Sequence, residues 1–148
     1  TAETLFPYTT LFRSSYMKDI IFDDFQNSVD EYLIRHKSIL DVLTKLQESE
    51  ARVNRSIAKS VTSCGCITIN AKKQCLPSDE NSMDDPNDCF KTHLDGNLCN
   101  DCREVIETEL GNNIFYLSSL CNLLDLNIYD IILKEYDRMN TLGKYHLR

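Results

Sequence analysis

The sequence predicts an all-α fold: a four-helix bundle with a four-cysteine, zinc-binding insertion between its second and third helices. Three observations predict it. Apolar residues recur every three or four positions through four segments, the period of a helix with one covered face. The 148 residues hold only four glycines and three prolines, too few breakers for the turns of an all-β chain. Two close cysteine pairs, Cys64-Gly65-Cys66 and Cys99-Asn100-Asp101-Cys102, bracket a polar, turn-rich stretch.

The first helix is predicted over residues 18–36. Phe22, Phe25, Val29 and Leu33 form its stripe, with Asp, Gln, Asn and Glu between them. His36 and Lys37 suit a helix C-terminus, and His36 reads as a surface histidine rather than a ligand. Upstream, Thr4 to Ser14 spell out one reading frame of a common sequencing adapter. Residues 1–16 are therefore read as adapter-derived, with Met17 as the natural start. Residues 17–148 then form a single helical domain, with 64–102 as its insertion. Dropping the first segment removes Glu3 and Arg13, so the net charge stays at −7.

Ser38 with Asp41 three residues on has the spacing of a capping-box variant, and the second helix runs from there to Ser63. Leu43, Leu46, Val53, Ile57 and Val61 mark its apolar face; Lys45, Glu48, Arg52, Arg55 and Lys59 mark the other. At about 100° per residue, Glu50 and Asn54 fall on the apolar side. A buried carboxylate is costly unless paired or metal-bound, so these two mark either a stripe edge or an inward polar site.

In the insertion, Thr68 and Ile69 suggest a brief extended piece, and residues 77–88 an acidic loop. Phe90 to Leu94 suggests one helical turn, and Asp95-Gly96 a chain turn. The third helix begins near Asp101 or Cys102, with Asp101 and Glu104 at capping-box spacing. Its face is Ile106, Leu110, Ile114, Leu117, Cys121 and Leu124, bordered by Glu109 and Asn113. Asp125 or Asn127 caps the last helix, Ile128 to about Asn140, with Ile128, Ile131, Ile132, Tyr136 and Met139 inward. Gly143 closes it, and Lys144, His146 and Arg148 make a basic tail.

Thiolates grouped as CxC and CxxC are the two halves of a tetrahedral zinc site formed by Cys64, Cys66, Cys99 and Cys102. Gly65 is expected to permit the short CxC bite by lacking a Cβ. Cys102 would sit at a helix N-terminus, where the dipole favours the thiolate. Four cysteines close the coordination sphere, so the zinc is read as structural. Cys75, Cys89 and His93 are weaker substitute ligands, and Cys121 is a core residue. Four plain reduced thiols, or a redox switch, are the alternatives.

The net charge of −7 argues against general nucleic-acid or anionic-membrane binding. No run of about 18 apolar residues predicts a membrane helix. A cytoplasmic protein is expected, in which seven cysteines suggest metal more than disulfides.

The segments Glu109-Leu110-Gly111-Asn112-Asn113-Ile114-Phe115-Tyr116-Leu117 and Leu124-Asp125-Leu126-Asn127-Ile128, with Lys134 to Tyr145, resemble the MazG-like all-α nucleotide pyrophosphohydrolases over about forty residues. The first is similar to the family's Glu-x-x-Asp helix, the second to its interhelical turn, the third to its last helix. The resemblance implies a four-helix MazG-like bundle, a homodimer, and acidic residues on two facing helices that bind magnesium while water attacks a nucleoside triphosphate. This chain departs from the pattern. The family's EExxE is reduced to Glu48 and Glu50, and its Asp is Asn112. Magnesium prefers anionic oxygens, so the resemblance implies the fold more than the activity. Thr62 to Thr68 is locally similar to an SCGC signature of a small immunoglobulin-like domain of unknown function. That fold needs strands on both sides, whereas here the motif closes a helical pattern.

The first functional reading is a non-catalytic binding or regulatory protein, with Glu50, Asn54, Glu109, Asn112 and Asn113 facing a nucleotide or a dimer interface. The second is a magnesium-dependent nucleoside triphosphate pyrophosphohydrolase. Glu48, Glu50 and Glu109 would hold the metal, and Asn140 and Lys144 would contact base or phosphate. The third is a cysteine-based redox or metal sensor.

Overall fold

The computed structural model of the chain describes residues 8–33, 37–74 and 91–142. His36, Cys75, the acidic run 77–88, Cys89, Phe90, Gly143, Lys144, His146 and Arg148 lie outside the described residues. Four helices dominate: α1 Tyr8–Tyr32, α2 Ile39–Lys59, α3 Asn100–Leu123 and α4 Ile128–Leu142. A π-helical turn, Ser60–Cys64, follows α2, and two short strands, β1 Ile67–Ile69 and β2 Leu94–Gly96, lie between it and α3. The chain divides into two compact units, Thr1–Glu48 with Asn112–Arg148, and Ser49–Gly111. Both α2 and α3 contribute residues to each.

In the first unit, α1 starts ten residues before the predicted position and ends four before it. Val29 and Leu33 are buried as expected, but Phe25 is exposed and Gln26, placed among the polar residues, is buried. The reason is hydrogen bonding. Gln26 Nε2 donates to the Leu126 carbonyl at 2.6 Å, and its Oε1 accepts the Ile128 N–H at 3.0 Å. Asn122 Nδ2 donates to the Gln26 carbonyl at 2.9 Å. The amide thus satisfies backbone groups in the turn from α3 to α4, where a helix end has no partners of its own. Asn127, rather than Asp125, caps α4: its Oδ1 accepts the N–H groups of Tyr129 and Asp130 at 2.8 and 3.2 Å. Phe22 and Tyr129 meet with ring centroids 5.8 Å apart, fastening α1 to α4.

The buried face of α2 differs from the predicted one. Val42, Ser49, Ser56 and Ser60 are buried, whereas Leu43 and Ile57 are exposed. These four lie seven, seven and four residues apart, so they share one face. That face is rotated by roughly 60–80° from the apolar stripe, at 100° per residue. Small hydroxyls fit there because they satisfy themselves on their own helix: Ser56 Oγ donates to the Val53 carbonyl at 2.7 Å, and Ser60 Oγ to the Ser56 carbonyl at 3.1 Å. On α3, Ile106, Ser118, Ser119 and Cys121 are buried, while Leu110, Ile114 and Leu117 of the predicted stripe are exposed.

Over the described part of the expected helical turn and chain turn, 91–96, the structure has a strand instead, Leu94–Gly96. β1 and β2 pair antiparallel, with Ile67 opposite Gly96, Thr68 opposite Asp95 and Ile69 opposite Leu94. Beyond the ladder, the Asn70 N–H donates to the His93 carbonyl at 2.9 Å, and Asn70 Nδ2 to Asp95 Oδ2 at 2.6 Å. Leu-Asp-Gly carries no strand pattern of its own; its partner is the β-branched Ile67-Thr68-Ile69. Among the described residues no helix is long and apolar enough to cross a membrane.

Candidate metal centre

All four predicted cysteine ligands come together in the Ser49–Gly111 unit. Each is presented by a local backbone device. The π-helical turn ends α2, and the Gly65 N–H bonds to the Ser60 carbonyl at 2.9 Å. Gly65 has φ 75, the left-handed conformation that follows many helices. Open space surrounds the position a Cβ would take there. The glycine therefore serves the backbone angle and not, as the spacing suggested, the closeness of the two thiols. Cys64 and Cys66 then flank a reversal in chain direction into β1.

Gly96 has φ 89, and a Cβ there would lie 2.6 Å from the Cys66 carbonyl oxygen. Only glycine lets β2 pass so close to the first cysteine pair. Sequence reading took Gly96 as part of a turn; its strand register against Ile67 is set by pairing across the insertion. The second pair straddles the start of α3. Cys99 precedes the helix, and Cys102 lies in its first turn. The Cys102 N–H points at Cys99 Sγ, 3.4 Å away, and Cys99 also supplies its carbonyl to the Arg103 N–H at 3.0 Å.

The four sulfurs lie within 4.8 Å of one another, and the Cys64 and Cys99 sulfurs are 3.7 Å apart. Zinc–sulfur bonds of about 2.3 Å in a tetrahedron place sulfurs about 3.8 Å apart. The arrangement is thus of the right size for a tetrahedral metal ion. None of the four forms a disulfide. Among the described residues this is the one group of three or more potential metal ligands. His93 is not part of it; its φ of 58 serves the hairpin. Cys121 is buried, which pushes its thiol up from the usual value.

The thiols share protons unequally. The Cys102 backbone N–H, helped by the Cys102 side chain, holds Cys99 down at about 7. Cys102 feels a lowering hydrogen bond from Ser60, but its neighbours Cys99, Cys64 and Cys66 push it up to about 12. One thiolate forms readily, and a second beside it is opposed by charge. A bound cation removes that opposition, which is why such a cluster favours a metal.

The carboxylates and amides singled out in the sequence are placed differently. Glu48 Oε2 pairs with Lys45 Nζ at 2.7 Å on its own helix. Glu50, Asn54, Asn112 and Asn140 are exposed, and Asn113 is half-buried. Glu109 is half-buried, with its Oε2 buried and without a hydrogen-bond partner among the described residues. It lines a groove of about 320 Å³ together with Arg52, Arg55, Ser56, Lys59 and Val105. A magnesium ion does not fit that groove, because its other charged residues are cations rather than the anionic oxygens magnesium needs. Sequence reading assigned the three basic residues to a solvent face; their 52, 55, 59 spacing on one side of α2 was the available signal.

Comparison of the chain with protein-family models, with curated proteins and with solved structures returns no match.

Proposed function

We propose that this chain is a zinc-clasped helical binding protein with a non-catalytic, regulatory or ligand-binding role, acting as a homodimer. Cys64, Cys66, Cys99 and Cys102 hold a structural zinc that ties the end of α2 to the start of α3. The observation that carries the reading is the set of four reduced sulfurs within 4.8 Å of one another, presented by two unconnected turns. The closed ligand set leaves no position for a reacting water, so the zinc organises structure and does not perform chemistry. The likeness of the last two helices to the MazG-like bundle supports the helical scaffold, and the cationic surroundings of Glu109 argue against magnesium-dependent turnover there. The dimer is supported by uncovered apolar side chains: Ile131, Ile132, Leu133, Tyr136 and Met139 on α4 are all exposed. At 100° per residue Ile132, Tyr136 and Met139 share one side of the helix, and exposed apolar side chains grouped in this way suit an interaction face.

Cobalt substitution tests the clasp. Full-length protein refolded with cobalt(II) is expected to show the intense visible absorption of tetrahedral cobalt and the near-ultraviolet charge transfer of four thiolates. Loss of two thiolates in a Cys99→Ser, Cys102→Ser variant should abolish both. A six-coordinate spectrum in the unaltered protein would rule the site out. Pyrophosphate release from nucleoside triphosphates with magnesium, abolished by Glu109→Gln, would replace the non-catalytic reading with the hydrolase one.

A further inference from the structure

The four sulfurs of the cysteine cluster are not equivalent. Cys64 is exposed, whereas Cys66, Cys99 and Cys102 are half-buried. Two of the half-buried ones face backbone groups: Cys66 Sγ lies 3.8 Å from the Ser60 carbonyl oxygen, and Cys99 Sγ lies 3.4 Å from the Cys102 nitrogen. Cys64 is the last residue of the π-helical turn, and Gly65 beside it, at φ 75, has open space where a Cβ would stand. The Cys64 sulfur is 3.7 Å from that of Cys99, across 35 residues of sequence, so the two are in van der Waals contact. An oxidant arriving from solvent therefore meets Cys64 before the other three, with a second sulfur already against it. Cys121, the one other cysteine among the described residues, is buried and not part of the cluster.

We propose that the cluster is a peroxide-sensitive switch, in which Cys64 and Cys99 join in a disulfide and the zinc is released. The release rests on the zinc clasp; the bond rests only on the contact between the two sulfurs. With zinc bound all four cysteines are thiolates, so exposure decides which of them reacts. The Cys64 thiolate attacks the terminal oxygen of a hydroperoxide. The O–O bond breaks, the sulfur becomes a sulfenic acid, and the other oxygen leaves as hydroxide or alkoxide and takes up a proton. The Cys99 thiolate then attacks the Cys64 sulfur. The S–S bond forms, the S–O bond breaks and hydroxide departs. The hydroperoxide gains the two electrons that the two sulfurs lose. Zinc keeps only Cys66 and Cys102, too few ligands for a closed tetrahedral site. The new bond spans the same two turns as the metal, so the end of α2 stays tied to the start of α3 after the metal has gone.

Treatment of zinc-loaded, full-length protein with hydrogen peroxide tests it, with reduced, metal-free protein oxidised in parallel. A coloured chelator reports free zinc, and non-reducing peptide mapping by mass spectrometry reports the linkage. One zinc released for each Cys64–Cys99 disulfide is the expected result, and dithiothreitol should restore both the thiols and zinc binding. The oxidised, metal-free protein should melt above the reduced, metal-free protein, because the disulfide closes a loop that metal removal leaves open. Zinc release with a disulfide inside either cysteine pair, with one at Cys75 or Cys89, or with Cys64 carried on to sulfinic acid would overturn the switch. So would zinc-loaded protein that keeps its metal and its thiols under peroxide sufficient to oxidise the metal-free form. A chain that takes up no zinc, yet forms the Cys64–Cys99 bond, refutes the clasp and the release together while upholding the bond.

Discussion

Single residues account for most of the local geometry, and several were unreadable in advance. Gln26 looks like any polar residue on an amphipathic helix, yet it is buried and serves backbone groups a hundred residues away. Nothing in its neighbourhood of sequence signals that, because the partners are main-chain atoms of a distant turn. Gln26→Ala leaves the Leu126 carbonyl and the Ile128 N–H without partners and should cost about 2 kcal/mol, a fall of about 4–8 °C in melting temperature. Thermal melts followed by circular dichroism check this. The two glycines near the cysteines make a second comparison. Gly65→Ala meets open space and suffers only the left-handed backbone, a cost of about 1–2 kcal/mol. Gly96→Ala adds a clash with the Cys66 carbonyl and should be the more damaging change in zinc-loaded protein, visible as a lower melting temperature and weaker zinc retention. The cysteines differ too. Cys99 is held near 7 by the Cys102 N–H, below the usual thiol value of 9.0. Its thiolate is present above about pH 7 and is lost as pH falls through that value. In metal-free protein, alkylation by iodoacetamide at neutral pH should therefore fall first on Cys99, and bound zinc should protect it. Peptide mapping by mass spectrometry gives the order of labelling.

At the scale of elements, the four helices and the cysteine pairing were legible, and their faces were not. Helical period, scarce breakers and capping signals located α2, α3 and α4 to within a few residues. Asn127 was one of two named caps and proved to be the one. The buried side of α2 was missed because it is built from serines that satisfy themselves on their own helix, while the larger apolar residues lie on its flank. Glu50 and Asn54, assigned to the apolar side by the same stripe, are exposed for that reason. The β1–β2 hairpin was half visible, since only β1 has strand-forming residues. Of the candidate site, the four cysteines were fully legible from CxC and CxxC spacing. The basic groove was not, because 52, 55, 59 spacing is also that of an ordinary solvated face. The hairpin and the π-helical turn are short and hold few buried residues, Ile67 and Ser60 among them. Their order should then depend on the metal. Chelation is expected to speed amide hydrogen exchange in 60–70 and 94–102 while the α1–α4 contact in the other unit keeps its protection.

For the whole molecule, the balance of covered and uncovered apolar surface is the dominant feature. Among the described residues seven apolar side chains are buried, whereas long stretches of α3 and α4 show Leu110, Ile114, Leu117, Ile131, Ile132, Leu133, Tyr136 and Met139 to solvent. The proposed second copy, covering such faces, would explain why the predicted stripes are apolar without being buried in one chain. Analytical ultracentrifugation should give twice the mass of the 17.1 kDa chain, and Ile132→Glu with Met139→Glu should shift it toward the monomer. The proposed zinc is the feature on which the description of the molecule most depends, since it would join the two turns that present the cysteines. Native mass spectrometry of purified full-length protein weighs it directly. One zinc per chain, lost in the Cys99→Ser, Cys102→Ser variant, is the expected result. A folded chain that carries no metal, with its four cysteines reduced and zinc present in the buffer, would contradict it.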